Sequence, residues 1–192
     1  MGSEMCIRDS PGATCISINE EIAHGIPGPR VIRAGDLINI DVSAEKDGFF
    51  ADTGASFAVP PIKPKIERLC RDGKRALWVG LNQVKSGEPL AKIGTAVGAF
   101  AQKNRYTLVA NLASHGVGRS LHEEPAELST WPDPSEKRMM TEGLVFTVEP
   151  FLSSAQHGPK AATMPGRSMP IRRRRPCNMS IRWSQRATGR WF

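Results

Sequence analysis

A mixed α/β (α+β) domain is the fold class the sequence predicts, and three observations carry that expectation. Two period-2 strand patterns flank a turn within residues 37–59, two helical stripes of apolar residues follow within 66–101, and strand-like runs return after residue 106. The chain has 192 residues, 40% hydrophobic and 23% charged, enough for one ordinary globular domain with a sizeable core.

The elements follow in order. Gly35-Asp36 is a turn signal, after which Ile38, Ile40, Val42 and Ala44 alternate with Asn39, Asp41 and Ser43, the pattern of a half-buried strand. Residues 45–48 read as a four-residue turn and 49–59 as a second strand, ended by Pro60, Pro61 and Pro64. Ile66, Leu69, Cys70, Leu77, Leu81 and Val84 recur at helical spacing. Gly87-Glu88-Pro89 breaks the chain, and Leu90, Ile93, Val97, Phe100 and Ala101 form a second helical stripe. A short strand is expected at 106–112, then a Gly-rich turn, and another strand within 141–152.

Composition narrows the function classes. No apolar run approaches the roughly 18 residues of a membrane-spanning helix, and the N-terminus lacks a signal-peptide core. Cys6, Cys15, Cys70 and Cys177 form no CxxC pair, which argues against a thiolate zinc site and a disulfide scaffold and fits a reducing cytoplasm. The net charge of +7 is local: residues 157–192 hold nine of the 26 basic residues and no acidic ones, so the remainder has 17 basic against 19 acidic, a net of −2. The Arg172–Arg175 run is the one feature suited to nucleic-acid phosphates, and RNA binding through it would be salt-dependent and lost on deleting residues beyond His157.

The chemistry starts at the hairpin. With a four-residue loop, strand partners sum to 93 and Asp41 faces Asp52 directly, with Cβ atoms about 4.5–5.5 Å apart. Two carboxylates that close repel unless a proton or a cation intervenes, and paired divalent metals about 3.5–4 Å apart are a known hydrolytic arrangement. If the loop differs, one aspartate merely caps a turn. His115 sits on a Gly-rich turn after a strand, and Glu149 lies in an apolar run where burial is costly without a partner or metal. Alone, a turn histidine is more often structural. Together, two Asp, one His and one Glu suit Mn, Fe, Co or Zn in a hydrolytic site better than a structural zinc.

Four blocks then carry a resemblance: CISINEEIAHGIPGPR (15–30), GDLINIDVSAEKDGFFADTG (35–54), SHGVGRSLHEEP (114–125) and FTVEP (146–150). In order and spacing they resemble type I methionine aminopeptidases over roughly residues 11–156. The resemblance implies the pita-bread fold, here incomplete, with a central antiparallel sheet flanked by helices. It implies two divalent metal ions (Co, Mn, Fe or Zn) held by Asp41, Asp52, His115 and Glu149. His24 and His122 would contact the substrate near the scissile bond, His122 stabilising the developing oxyanion. Cys15 would line the methionine pocket, although a buried small apolar residue is an equal reading. The implied reaction is metal-assisted hydrolysis of the N-terminal methionine of nascent polypeptides, with Glu149 in a catalytic role, water activated near neutral pH, and a glutamate passing the proton to the leaving amine. A monomer with transient ribosome association, no specific nucleic acid and no membrane partner completes that implication.

Departures from the family pattern set further expectations. Leu121 stands where the family has an aromatic residue, which loosens the methionine pocket. Residues 1–10 read as a foreign or disordered leader in place of a longer helical segment, residues 11–156 as a partial catalytic domain, and 157–192 as a basic tail. The family's fifth ligand, a Glu within Gln-Tyr-Glu-His-Thr, is absent. Residues 177–183 (CNMSIRW) back-translate, one base out of register, to that block, and residues 162–169 behave likewise, so a frameshift after Gln156 is expected. On that reading the fragment folds poorly and its activity is impaired. The alternatives are a Xaa-Pro aminopeptidase-like hydrolase, disfavoured by the HGIPGPR and CISINEE blocks, and a non-catalytic pita-bread homologue.

Overall fold

The computed structural model describes residues 14–154 and the short strand at 176–178. The expected leader and almost all of the expected tail therefore lie outside the described residues.

Three strands form the first sheet, in the order β1 (Thr14–Ile18), β2 (Leu37–Lys46), β3 (Phe49–Ala58), all antiparallel. The β2–β3 hairpin corrects the expected register. Leu37 pairs with Ala58 and Lys46 with Phe49, so partners sum to 95 and the loop is the two residues Asp47-Gly48. Both have positive φ (56° and 80°), the conformation that an Asp-Gly pair adopts most readily in a tight hairpin. Asp41 consequently faces Gly54, and Ser43 faces Asp52. Because the register moved by two residues, both aspartates stay on one face, now as diagonal neighbours about 7–8 Å apart.

That face is the more buried one. Asn39, Asp41, Ser43, Asp52 and Ser56 are all buried, whereas Ile38, Ile40 and Val42 on the other side are only partly so. The polar side of the alternation thus points inward, the reverse of an ordinary amphipathic strand. It is satisfied in part from within: Asn39 Nδ2 donates to Ser56 Oγ (3.1 Å) and Ser43 Oγ to Asp52 Oδ1 (3.0 Å).

Helix α1 (Pro64–Leu81) and helix α2 (Ala91–Lys103) stand where the helical stripes predict them. Pro64 opens α1 at a position where its missing N–H costs nothing. Leu77, Leu81, Leu90 and Ile93 pack with Leu128, Phe146 and Val148 in one core cluster, and Leu37, Ile66, Leu69 and Leu152 form another. Gly94 lets α2 approach the following loop: a Cβ there would sit 2.1 Å from the Trp131 carbonyl oxygen.

The second half is less regular than its sequence predicts. The run expected at 106–112 contains only β4 (Thr107–Leu108), and Val109 and Leu112 turn into a small cluster with Ile22 and Phe151. Strand β5 (Ser114–Gly116) pairs with β6 (Glu123–Leu128), with a register shift between Ser114 and Gly116. The expected strand at 141–152 is regular only at β7 (Phe151–Ser153). Ahead of it the chain is extended and meets β5 through an isolated bridge, Gly116 to Phe146, and the Thr147 N–H to the His115 carbonyl (2.8 Å). Strand β8 (Pro176–Asn178) pairs antiparallel with β7. Although the residues around it have no amphipathic period, an edge ladder needs only backbone partners. Among the described residues, no helix is long and apolar enough to cross a membrane.

Candidate active site

The alternation within 146–149 explains the lone glutamate. Phe146 and Val148 point into the helix-packed core, so Thr147 and Glu149 point the other way, toward β5. Glu149 is 2% exposed. The same logic operates on β5: Ser114 and His115 are buried, and Gly116 fits against β6 so closely that a Cβ would lie 2.3 Å from the Glu124 carbonyl oxygen.

His115 Nε2 lies 3.5 Å from Glu149 Oε1 and 3.8 Å from Asp52 Oδ2. These contacts are not ordinary ion pairs. Burial, reinforced by the charges of His122 and His24 against a smaller opposing effect of the Gly116 carbonyl, pushes the His115 pKa down to about 4, so the ring is neutral near pH 7. Nδ1 is 2.9 Å from the Gly116 carbonyl, an acceptor only, so Nδ1 carries the proton. Nε2 therefore turns a lone pair toward two carboxylate oxygens, and it takes no hydrogen bond of its own. A lone pair facing two carboxylate oxygens is unfavourable unless a proton or a cation lies among them.

The spacing agrees with that chemistry. Two donors each about 2.1 Å from one ion in a tetrahedral arrangement are separated by roughly 3.4 Å. The donor set of imidazole and carboxylates fits Mn, Fe, Co or Zn, and a carbonyl holding Nδ1–H is the usual way of presenting Nε2 to a metal. Among the described residues, no group of three or more His, Cys, Asp or Glu stands close enough together to hold a metal ion as it is.

The remaining predicted residues gather nearby. The His122 ring stacks on His115 with centroids 4.0 Å apart and planes at 34°, and burial lowers its pKa. His24 has φ 60° and precedes Gly25, whose N–H donates to Ser17 Oγ (3.1 Å) and whose carbonyl accepts from Ile16 N–H (2.8 Å). This holds the histidine loop against β1. Cys15 is buried and pairs with Asp41 across the β1–β2 ladder, so the two share the inward face. Leu121 is also buried, directly before His122. Asp41 is brought to the same face as Asp52, but not opposite it as the expected register had it.

Sequence reasoning missed three hydroxyls, those of Ser43, Ser114 and Thr147. Each is buried and bonded to a candidate ligand: Ser43 to the Asp52 carboxylate, Ser114 Oγ accepting from Glu149 N–H (2.8 Å), and Thr147 to Glu149 Oε1. The signal was present, since Ser43 and Thr147 lie two residues from Asp41 and Glu149 and so share their faces.

Residues 2–183 match the metallopeptidase family M24. The chain belongs to that family. It is 51% identical over 148 residues to a methionine aminopeptidase of Staphylococcus epidermidis, covering 75% of this chain and 58% of that protein. It superposes on the crystal structure of methionine aminopeptidase from Rickettsia prowazekii with a TM-score of 0.76 at 28% identity, covering 90% of this chain and 68% of that one. It also superposes on an X-Pro aminopeptidase from Thermotoga maritima (TM-score 0.65, 19% identity, 89% of this chain and 42% of that one), a likeness of fold alone. The M24 chain described here spans somewhat more than half the length of the curated relatives it matches, and its fold is the pita-bread architecture expected from its motifs.

Proposed function

We propose that this M24 chain is part of a methionine aminopeptidase that removes the initiator methionine from nascent polypeptides. The observation that carries the reading is the neutral, Nε2-exposing His115 aimed at the Asp52 and Glu149 carboxylates on one buried face. The identity to a methionine aminopeptidase supports the choice of substrate over the Xaa-Pro alternative.

In this reading Asp41, Asp52, His115 and Glu149 hold two divalent ions (Co, Mn, Fe or Zn). When bound, such ions supply a Lewis acid and a water acidic enough to attack near neutral pH. Everything else falls to the chain's own residues. Glu149 accepts and returns a proton from its buried position. His122 and His24 donate to the peptide carbonyl and hold the scissile bond. Cys15 borders the methionine side chain. The protein acts as a monomer in the cytoplasm, near the ribosome.

The test is metal titration of the full chain by calorimetry, followed by hydrolysis of Met-Ala and Xaa-Pro peptides. Divalent metal binding with methionine release is the expected result. Absence of metal binding in a folded preparation, or release only before proline, would overturn it.

A further inference from the structure

The Thr147 hydroxyl sits between two candidate ligands. Its oxygen is 2.5 Å from Glu149 Oε1, 3.1 Å from the His115 backbone nitrogen and 3.3 Å from the His115 carbonyl oxygen. A hydroxyl has one proton to donate and lone pairs with which to accept. The 2.5 Å contact has the length of a bond to an ionised carboxylate, so the proton goes to Glu149 rather than to the more distant carbonyl. The oxygen accepts the His115 N–H.

Glu149 Oε1 is also the atom that lies 3.5 Å from His115 Nε2. One hydroxyl thus fixes both the oxygen and the backbone from which the facing imidazole projects. Thr147 is 1% exposed, and its branched Cβ restricts χ1, so this geometry is set before any ligand arrives. The link matters here because the backbone joins the two segments only through an isolated bridge, Gly116 to Phe146, with bonds from Val117 N–H to Val145 and from Thr147 N–H to His115 among the described residues. Ser114 Oγ, accepting from Glu149 N–H, laces them a second time but touches no carboxylate oxygen of Glu149.

We propose that Thr147 is a positioning residue, one that sets Glu149 Oε1 and His115 in register with each other and so raises the affinity of the site for a divalent cation. The proposal rests on the metallopeptidase reading above and deepens it.

The experiment compares wild type, Thr147→Val and Thr147→Ser as full chains. Calorimetry with cobalt or manganese measures affinity, the cobalt absorption spectrum reports coordination geometry, and thermal unfolding without metal reports folding. Thr147→Val keeps the shape and loses the hydroxyl; Thr147→Ser keeps the hydroxyl. We expect Thr147→Val to weaken metal binding about 10–100-fold with an altered cobalt spectrum, and Thr147→Ser to restore both. Unchanged affinity and spectrum in Thr147→Val, or no rescue by Thr147→Ser while it unfolds like wild type, would overturn the proposal alone. If Thr147→Val fails to fold, the Thr147→Ser measurement decides, because a purely structural γ-methyl predicts weak binding there. Failure of the wild type to bind metal would overturn the metallopeptidase reading and this inference with it.

Discussion

Gly116→Ala tests how tightly the candidate site depends on the contact between β5 and β6. A Cβ at Gly116 would stand 2.3 Å from the Glu124 carbonyl oxygen, where ordinary contact begins at 3.4 Å, so the strands must part by about 3.4 − 2.3 = 1.1 Å. The obstacle is backbone, which cannot rotate away. Overpacking of this kind costs about 1–3 kcal/mol, and for a chain of this size a mid-range 2 kcal/mol lowers Tm by roughly 4–8 °C. The functional effect is larger. Gly116 adjoins His115 and its carbonyl anchors Nδ1, so an ångström of strand movement reaches the imidazole. Misplacement by about 1 Å typically costs on the order of 100-fold in rate. The assay pairs thermal unfolding with methionine release, with Gly28→Ala as the control, since a Cβ there meets nothing nearer than 3.9 Å. If Gly116→Ala unfolded at the wild-type temperature and cleaved at the wild-type rate, the argument from strand spacing would be refuted.

Two further outcomes are expected. Burial works to raise the Asp72 pKa, but the hydrogen bonds from Tyr106 (2.8 Å) and Arg68, the charge of Arg71 and the contact from Arg75 together hold it below the usual carboxylate range. Burial and the same Asp72 bond push Tyr106 up to about 12. A raised folded-state value means that this contribution is complete below pH 10 and is lost as pH climbs from about 10 to 12; the depressed Asp72 value places its own loss on the acid side, below the ordinary carboxylate pKa of 3.8. Tyr106→Phe should lower stability by about 1.5–3 kcal/mol and flatten the alkaline limb, as read from urea midpoints across pH; an unchanged limb would sink the assignment. Gly94→Ala, which drives a Cβ to 2.1 Å from the Trp131 carbonyl, should destabilise by about 1–3 kcal/mol yet leave metal affinity in the surviving folded protein unchanged, because the backbone it strikes, at Ser129 and Trp131, carries none of the candidate ligands. A titration showing weakened metal binding in that variant would contradict the separation.

Much of the fold was legible because it rests on local chemistry. The helices at Pro64–Leu81 and Ala91–Lys103 follow from apolar residues at helical spacing between proline and glycine breaks, and the β2–β3 hairpin from strict alternation around Asp47-Gly48. The register was misjudged because the loop was counted as four residues. The two-residue preference of Asp-Gly, with both residues at positive φ, moved Ser43 into the place expected for Asp41. The short β4 and the broken strand before β7 were not legible, since their partners lie far away in sequence.

By itself the sequence determined which residue types carry the chemistry and which neighbours on one strand share a face, Asp41 with Ser43 and Thr147 with Glu149; Asp41 and Asp52 share theirs because the register differs from the expected one by an even number of residues. Tertiary structure decided what those faces meet. Only the folded chain brings His115 to 3.5 Å from Glu149 and 3.8 Å from Asp52, buries it so that it is neutral, and turns its proton to the Gly116 carbonyl. The physical reason is that alternation is a property of a single strand, whereas distance, burial and tautomer arise only when strands far apart in sequence are packed against one another.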